Sequence, residues 1–321
     1  MSVDTEAIFA ECYYTVHAVI FGADESLLNI QLSDGFCFKK LSLHPAISKL
    51  DKIFDTTDFG LRRDYEMARI STDSLEVICA VKESSYKQQL SSLDERFDND
   101  TNSDLVSLDN QIRVIRLLEE CPLRFKKIAF HQNCNLQLNG LSSPRNHNAI
   151  IPIGEAMIIK PVTELHCDEK RAEYITRQLN VLNLPFSDAL LNSCHLYYDM
   201  SYHTEPCVSV TLLTTALEML FLEEDAKSKK ERLAKRCSTF LYMDDTQRTG
   251  LAYIELKSLY RKRSEFVHEG KVLNISNADC IALRAYVRSS LLKALSLSES
   301  KHQRIERIKS YIEKHKELFG E

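Results

Sequence analysis

The chain has 321 residues, enough for two domains of ordinary size, and its 44% hydrophobic and 27% charged residues are typical of a folded protein. A net charge of −5 excludes the basic footprint of a dedicated duplex-DNA-binding protein. The ten cysteines form no Cys-x-x-Cys pair, and the longest apolar stretch, 149–162, is interrupted by proline, glycine and charged residues. The sequence therefore predicts no metal site, no cofactor and no membrane span.

The compartment is predicted from the cysteines and from the first residues. No basic-then-apolar leader stands at the start of the chain. We therefore expect a cytoplasmic protein in which all ten thiols are reduced. The charge is uneven, at +2 over residues 184–321 and −7 over the remainder. Any nucleic-acid contact in the second part must then come from a local groove.

The first part of the chain alternates apolar and polar residues with a period of two. This pattern predicts a strand at 13–22 and a hairpin over 27–43 with Ser-Asp-Gly as its turn, and it recurs over 67–83. The polar, acidic segment 91–110 is typical of a mobile loop. A helix at 111–121 and a strand at 125–138 complete the prediction of a β-rich or α+β domain over 1–168, in which we find no chemical motif.

The period changes to 3.6 from about Glu169, which indicates helices. Pro206 begins a helix with a broad apolar face, Gly270 is a plausible cap for a later one, and Ser-Asn-Ala-Asp at 276–279 has the form of a capping box. The apolar stripes used for this prediction contain Phe186, Leu190, Cys194, Tyr197, Leu233, Cys237, Phe240, Leu283, Val287, Ile305, Ile308 and Phe319. We predict an α+β protein whose residues 169–321 form an antiparallel helical bundle.

One helix of this bundle carries an arginine among its apolar positions. Ala252, Leu256, Leu259, Arg263 and Phe266 step by four and three residues. A lone guanidinium in such a stripe is costly unless it is paired or faces a polar groove. His268 follows five residues later, about 140° around the helix. The arginine and histidine can converge only if the helix frays at its end or if two copies face each other.

The surrounding residues resemble the Apea-like family of HEPN domains. That family has an Ala-Leu-Glu helix, an Ala-x-Arg segment and then Tyr-x-x-Arg-Ser-x-x-Val-His followed by glycine. The matching residues here are Ala216, Leu217, Glu218, Ala234, Arg236, Tyr260, Arg263, Ser264, Val267 and His268. The resemblance covers about 185–321. It implies a metal-independent endoribonuclease with Arg263 and His268 as catalytic residues.

The resemblance also implies partners and supporting residues. HEPN ribonucleases act as dimers on RNA, tRNA among the candidates, and often serve as bacterial toxins or anti-phage effectors. The domain at 1–168 would then sense a phage or cellular trigger, or grip the substrate. We expect Glu218 and Arg236 to form an internal polar pair, Tyr260 to be a core residue, and the apolar face with Leu213, Leu217 and Leu220 to contribute to the dimer interface.

The sequence leaves two alternatives open. Many HEPN ribonucleases have Asn, Asp or His directly after the arginine, whereas this chain has Ser264, and Glu269 separates His268 from Gly270. These departures favour a non-catalytic HEPN module that serves as a dimerisation or nucleotide-binding scaffold. A small-molecule enzyme seated in the first domain is a third reading, but no triad, metal cluster or phosphate-binding loop supports it.

Overall fold

The computed structural model describes residues 9–42, 76–121, 123–138, 141–152, 165–182, 189–202, 204–223, 228–271, 274–297 and 299–320. These residues divide into two compact units, one holding the described residues up to 182 and the other those from 189 onward. The first unit is built on an antiparallel sheet and the second is helical, so the predicted α+β class is confirmed.

The sheet of the first unit has the strand order β2-β3-β1-β4-β5, and every neighbouring pair is antiparallel. Its strands are β1 (Phe9–Phe21), β2 (Phe36–Ser42), β3 (Glu76–Gln89), β4 (Arg124–Leu138) and β5 (Leu141–Pro152). β1 lies in the centre of the sheet, between β3 and β4, and its Val and Ile side chains are buried against the two faces. The predicted strands at 13–22 and 125–138 are confirmed as parts of β1 and β4.

The predicted hairpin over 27–43 is only partly confirmed. Asp34 and Gly35 have φ angles of 57° and 80°, the left-handed pair that a tight hairpin turn requires. Before this turn, however, Glu25–Asn29 form a 3-10 helix, and a single bridge joins Gln31 to Cys37. The strand after the turn pairs with β3 instead. Of the pattern predicted over 67–83, residues 67–75 lie outside the described residues.

The prediction of a mobile loop over 91–110 is wrong, because this segment begins helix α1 (Leu93–Glu119). Its buried stripe includes Phe97, Thr101, Asp104 and Leu108, spaced by four, three and four residues. The two polar members hide the helical period. Thr101 bonds back to the Phe97 carbonyl, and the Asp104 carboxylate meets the Lys82 ammonium at 2.6 Å.

Helix α2 (Glu169–Val181) belongs to the first unit, so that unit continues past residue 168, where the sequence analysis placed the boundary. The α2 side chain of Arg171 reaches the Glu119 carboxylate of α1 at 2.7 Å. The hydroxyl of Thr176 accepts a bond from the Gln31 backbone N–H at 3.0 Å. These contacts hold α2 against the sheet domain although its own periodicity looks like that of the bundle.

The thiols of Cys12 and Cys134 are joined in a disulfide, so the expectation that all ten thiols are reduced is wrong for this pair. The two cysteines stand directly opposite each other on β1 and β4. They share a buried cluster with Ala10 and Leu93, under the start of α1. Strand register, which sequence spacing does not reveal, brings them together across 122 residues.

The second unit consists of helices connected by short segments. They are α3 (Ala189–Met200), α4 (Pro206–Phe221), α5 (Lys229–Tyr242), α6 (Thr246–Glu269), α7 (Asn277–Leu297) and α8 (Lys301–Lys314). Pro206 is in the first turn of α4, as predicted, and Ser276 and Asp279 exchange the bonds of a capping box at the start of α7. Phe186 lies outside the described residues. No helix in the described part of the chain has the length and apolar character needed to cross a bilayer.

Candidate functional site

The candidate site is carried by α6, whose two ends are set by local sequence. The Asp245 carboxylate caps the first turn by accepting a bond from the Arg248 N–H at 3.0 Å. Gly270 closes the last turn at φ 68°, with its N–H directed to the carbonyls of Glu265 and Phe266. The helix therefore stays regular through Glu269. Fraying before His268, one of the two ways in which the arginine and histidine could converge, does not occur.

The predicted apolar stripe of α6 is confirmed over its first part. Ala252, Leu256 and Leu259 are 2–4% exposed, while Arg263 and Phe266 further along are half-buried. The guanidinium of Arg263 is thus the first polar group at the point where the stripe leaves the core. Its position on the helix is that of a core residue, but its chemistry is that of an anion-binding group.

Arg263 has no carboxylate partner among the residues that the structure describes. Its Nε atom is buried and makes no hydrogen bond there. The contact recorded for the guanidinium is with the ring of Tyr260, one turn earlier, at 5.8 Å from the ring centroid. A contact with an aromatic face orients a cation without neutralising its charge. The arrangement leaves a fixed positive charge able to bind an anion.

Tyr260 lies between Arg263 and the neighbouring helix α4. It is 8% exposed, and its hydroxyl donates to the Glu218 carboxylate at 2.7 Å. Burial, together with this carboxylate, raises the pKa of Tyr260 to about 12. The phenol therefore remains protonated at neutral pH and acts as a hydrogen-bond donor. The ring of Tyr260 contacts the Arg263 guanidinium, and its phenol cannot serve as a base at neutral pH.

The predicted pair of Glu218 and Arg236 is wrong, because each has a different partner. Arg236, 5% exposed on α5, donates at 2.6 Å to the Phe221 carbonyl at the end of α4 and at 2.7 Å to the Glu223 carboxylate. It therefore caps the carbonyl end of α4, where a cation is favoured. This bond to Arg236 lowers the pKa of Glu223 to about 2. Glu223 is the partner that sequence analysis missed, since it follows α4 with no periodic signal.

His268 occupies the last turn of α6 and its side chain is exposed. No hydrogen bond to another described residue orients its ring. Ser264, directly after the motif arginine, is half-buried. Between the arginine and the histidine stands Val267, whose side chain is 45% exposed. Within one copy the structure therefore fixes Arg263 and leaves His268 open to solvent.

The dimer-interface role predicted for the apolar face of α4 is wrong. Leu213, Leu217 and Leu220 are all 0% exposed within a single chain. They pack inside their own helical unit and are not available to a partner. The apolar side chains that α6 does expose are Val267, Leu251 and Ile254, the last two at 63% and 66%. An interface that includes the α6 motif would have to use Val267.

The structure thus brings together Glu218, Tyr260 and Arg263, whereas Arg236 bonds to the Phe221 carbonyl and Glu223. Among the described residues, no three His, Cys, Asp or Glu side chains converge as a metal-binding group would require.

Comparison with known proteins identifies no relative of this chain. No protein-family model matches the chain, and neither a curated protein nor a solved structure matches it.

Proposed function

We propose that this protein is a metal-independent endoribonuclease of the HEPN type. It would act in the cytoplasm as an effector of bacterial toxin or anti-phage systems, and its substrate would be RNA, with tRNA among the candidates. The observation that supports this proposal is the state of Arg263. Its buried Nε and its lack of a carboxylate among the described residues leave a guanidinium that a phosphate would satisfy. A purely structural arginine resembles Arg236, with every contact made inside the protein.

The roles of the residues follow from their chemistry. The attacking group would be the 2′-hydroxyl of the RNA itself, so no activated water is required. His268, exposed at the helix end, would take that proton or protonate the leaving 5′-oxygen. Arg263 would bind the phosphate oxygens with its planar fork and stabilise the charge that develops on them. Tyr260 and Glu218 would hold the arginine in place.

The proposal requires a dimer. Arg263 and His268 diverge by about 140° on a regular helix, so one copy does not direct both side chains at one phosphate. Two copies related by a two-fold axis would place two arginines and two histidines around one groove. Val267 lies about 40° from Arg263 on the helix surface and is exposed, so it would supply an apolar contact at that axis.

Cleavage of total RNA by the purified chain tests the proposal. We expect His268→Ala and Arg263→Ala each to reduce the rate by at least about 100-fold. Arg263→Lys should also be impaired, because lysine lacks the fork. His302→Ala and Arg261→Ala are matched controls, since both side chains are exposed in the same unit. Activity that survives in His268→Ala would defeat the assignment.

The chemistry has its own test. Cleavage should persist in the presence of a chelator and leave 2′,3′-cyclic phosphate ends. If chelation abolished the cleavage and a divalent ion restored it, the nucleophile would be a metal-activated water and the mechanism would be wrong.

A second function is favoured by the state of His268. Its exposed ring has no orienting hydrogen bond to a described residue. Ser264 stands where many HEPN ribonucleases have Asn, Asp or His. Both features fit a non-catalytic HEPN module that dimerises or binds a nucleotide through Arg263. This reading predicts that Arg263→Ala weakens nucleotide binding while wild-type protein leaves RNA uncut.

A further inference from the structure

One face of the sheet is open at the end where β1 begins. Along β1, Phe9, Glu11 and Tyr13 are exposed, whereas Ala10 and Cys12 between them are buried. The next residue of the buried face, Tyr14, meets the α1 side chain of Phe97 at a ring distance of 6.2 Å. Helix α1 therefore covers one face, and the opposite face presents two aromatic rings to solvent, 48% and 43% exposed.

Strand register places uncharged polar side chains in the same row as Tyr13. Tyr13 lies opposite Asn133 on β4, which in turn lies opposite Asn146 on β5. In the next row His131 stands opposite Asn148, and its Nδ1 contacts the amide oxygen of that residue. The Oδ1 atom of Asn133 is buried and makes no hydrogen bond within the described residues. We call this surface, with Phe9, Tyr13, His131, Asn133 and Asn146, the open sheet face.

The charges on the open sheet face nearly cancel. Glu11 stands opposite Lys87 on β3, and the Lys87 ammonium lies 5.7 Å from the centroid of the Phe9 ring. At the far edge Glu83 pairs with Lys39 at 3.4 Å. A nearly neutral surface does not suit duplex nucleic acid, whose binding depends on many cations. A single strand also needs cations for its backbone, and Lys87 beside the Phe9 ring offers one, while ring stacking and hydrogen bonds to amides would supply the rest of the binding.

The spacing of the rings argues against an apolar protein partner. Phe9 and Tyr13 are four residues apart, about 13 Å along the strand, with Glu11 between them. A docking protein would favour one contiguous apolar patch. Separate rings beside amides that can donate and accept are instead the features by which sheet surfaces hold unpaired bases, by stacking on the ring and bonding to the base edge.

We propose that the open sheet face binds single-stranded RNA, with bases stacked on Phe9 and Tyr13 and a base edge bonded to the exposed amide of Asn146. This proposal rests on the proposed function only in its choice of RNA as the ligand, because binding does not require cleavage. It gives the first unit the task of gripping a substrate that the helical unit would cut.

The test measures the affinity of the full chain for a labelled single-stranded RNA of mixed sequence, by fluorescence anisotropy. His268→Ala is present in every sample so that the RNA stays intact. We expect Phe9→Leu and Tyr13→Leu each to raise Kd by about fivefold or more, because leucine keeps apolar bulk but has no ring face. Tyr13→Phe keeps the ring and should bind as the parent does.

Two further variants make the test independent of aromatic packing. Asn146→Ala removes an exposed amide from the open sheet face and should raise Kd, while Asn102→Ala removes an exposed amide from α1 and should leave Kd unchanged. A duplex of the same sequence should bind more weakly, because its bases are already stacked and paired. Circular dichroism and the Tm of each variant verify that the fold is retained.

The outcomes separate this proposal from the proposed nuclease. If Tyr13→Leu, Phe9→Leu and Asn146→Ala all bind RNA as the parent does, the open sheet face is not an RNA site, whether or not the wild type cuts RNA. Loss of self-association in these variants at unchanged RNA affinity would make the face a protein interface and also overturn the proposal. If the variants lose RNA affinity while wild-type protein cuts nothing, the RNA-binding face stands and the nuclease fails.

Discussion

Replacing Arg263 by methionine should stabilise the helical unit, because the guanidinium costs stability where it stands. A buried hydrogen-bonding group without a partner costs about 1–3 kcal/mol. The contact of Arg263 with the Tyr260 ring offsets about 0.5–1 kcal/mol of this free-energy cost. Methionine has a similar length and no polar hydrogen, so we expect the free energy of unfolding to rise by roughly 1 kcal/mol. For a unit of this size that is an increase in Tm of about 3 °C.

The same substitution at Arg236 should have the opposite effect. Arg236→Met removes the bonds to the Phe221 carbonyl and the Glu223 carboxylate and leaves that buried carbonyl without a partner. A hydrogen bond to a charged group contributes about 1.5–3 kcal/mol, and the share from the half-exposed Glu223 is small. We expect a loss of roughly 2–3 kcal/mol and a fall in Tm of about 6–9 °C.

Differential scanning calorimetry of the two variants and the parent measures this contrast without reference to activity. The transition of the helical unit must be followed, since a protein of two units need not unfold in one step. If Arg263→Met lowered Tm as much as Arg236→Met does, Arg263 would be a structural residue with its contacts made inside the protein. Arg263 would then not be an unsatisfied cation available to a phosphate.

Three further predictions concern the surroundings of the site. The pKa of Glu223 is lowered from 4.5 to about 2, so its bond with Arg236 contributes fully above pH 4.5 and progressively less as the pH falls toward 2. The Tm difference between wild type and Glu223→Gln should therefore be constant from pH 5 to 8 and shrink below pH 4.5. A difference that grew on acidification would contradict the assignment. Val267→Glu should prevent dimerisation and RNA cleavage. Ile254→Glu, nine residues before Arg263 and on the opposite side of α6 from it, should leave both unchanged. Light scattering measures dimerisation and the cleavage rate is followed against protein concentration; a fully active monomer would refute the dimer. Tyr260→Phe keeps the ring against the Arg263 guanidinium, so it should cut RNA at close to the wild-type rate, with a free energy of unfolding about 1 kcal/mol lower because the bond to Glu218 is lost. Tyr260→Leu should cut RNA more slowly. Equal rates for the two variants would show that the ring has no part in the mechanism.

The sequence alone determined most of the local structure of the helical unit. Pro206 at the first turn of α4, the box of Ser276 and Asp279, and Gly270 after α6 are signals carried by single residues whose backbone preferences are intrinsic. The apolar stripes with a period of 3.6 predicted the helices for the same reason, since a helix face needs no distant partner to be recognised. The position of Arg263 within such a stripe was visible in the sequence as well.

The sequence misled where polar residues occupy core positions. The pattern predicts a loop over 91–110 and a helix only from residue 111, because Thr101 and Asp104 stand in the buried stripe of the first part of α1. Their polarity is acceptable only because the Phe97 carbonyl and the Lys82 ammonium are close by, and the second of these comes from another element. A pattern of hydrophobic residues cannot reveal a partner that the fold supplies.

Pairings between elements were decided by the tertiary structure alone. Arg236 bonds to Glu223 and the end of α4 because α5 packs there, while Glu218 is turned toward Tyr260 of α6. Cys12 and Cys134 meet through the register of β1 and β4. Leu213, Leu217 and Leu220 lie in the core of one chain because other helices of the same unit cover α4. Sequence spacing gives the face of an element on which a residue lies, but only packing decides what that face meets.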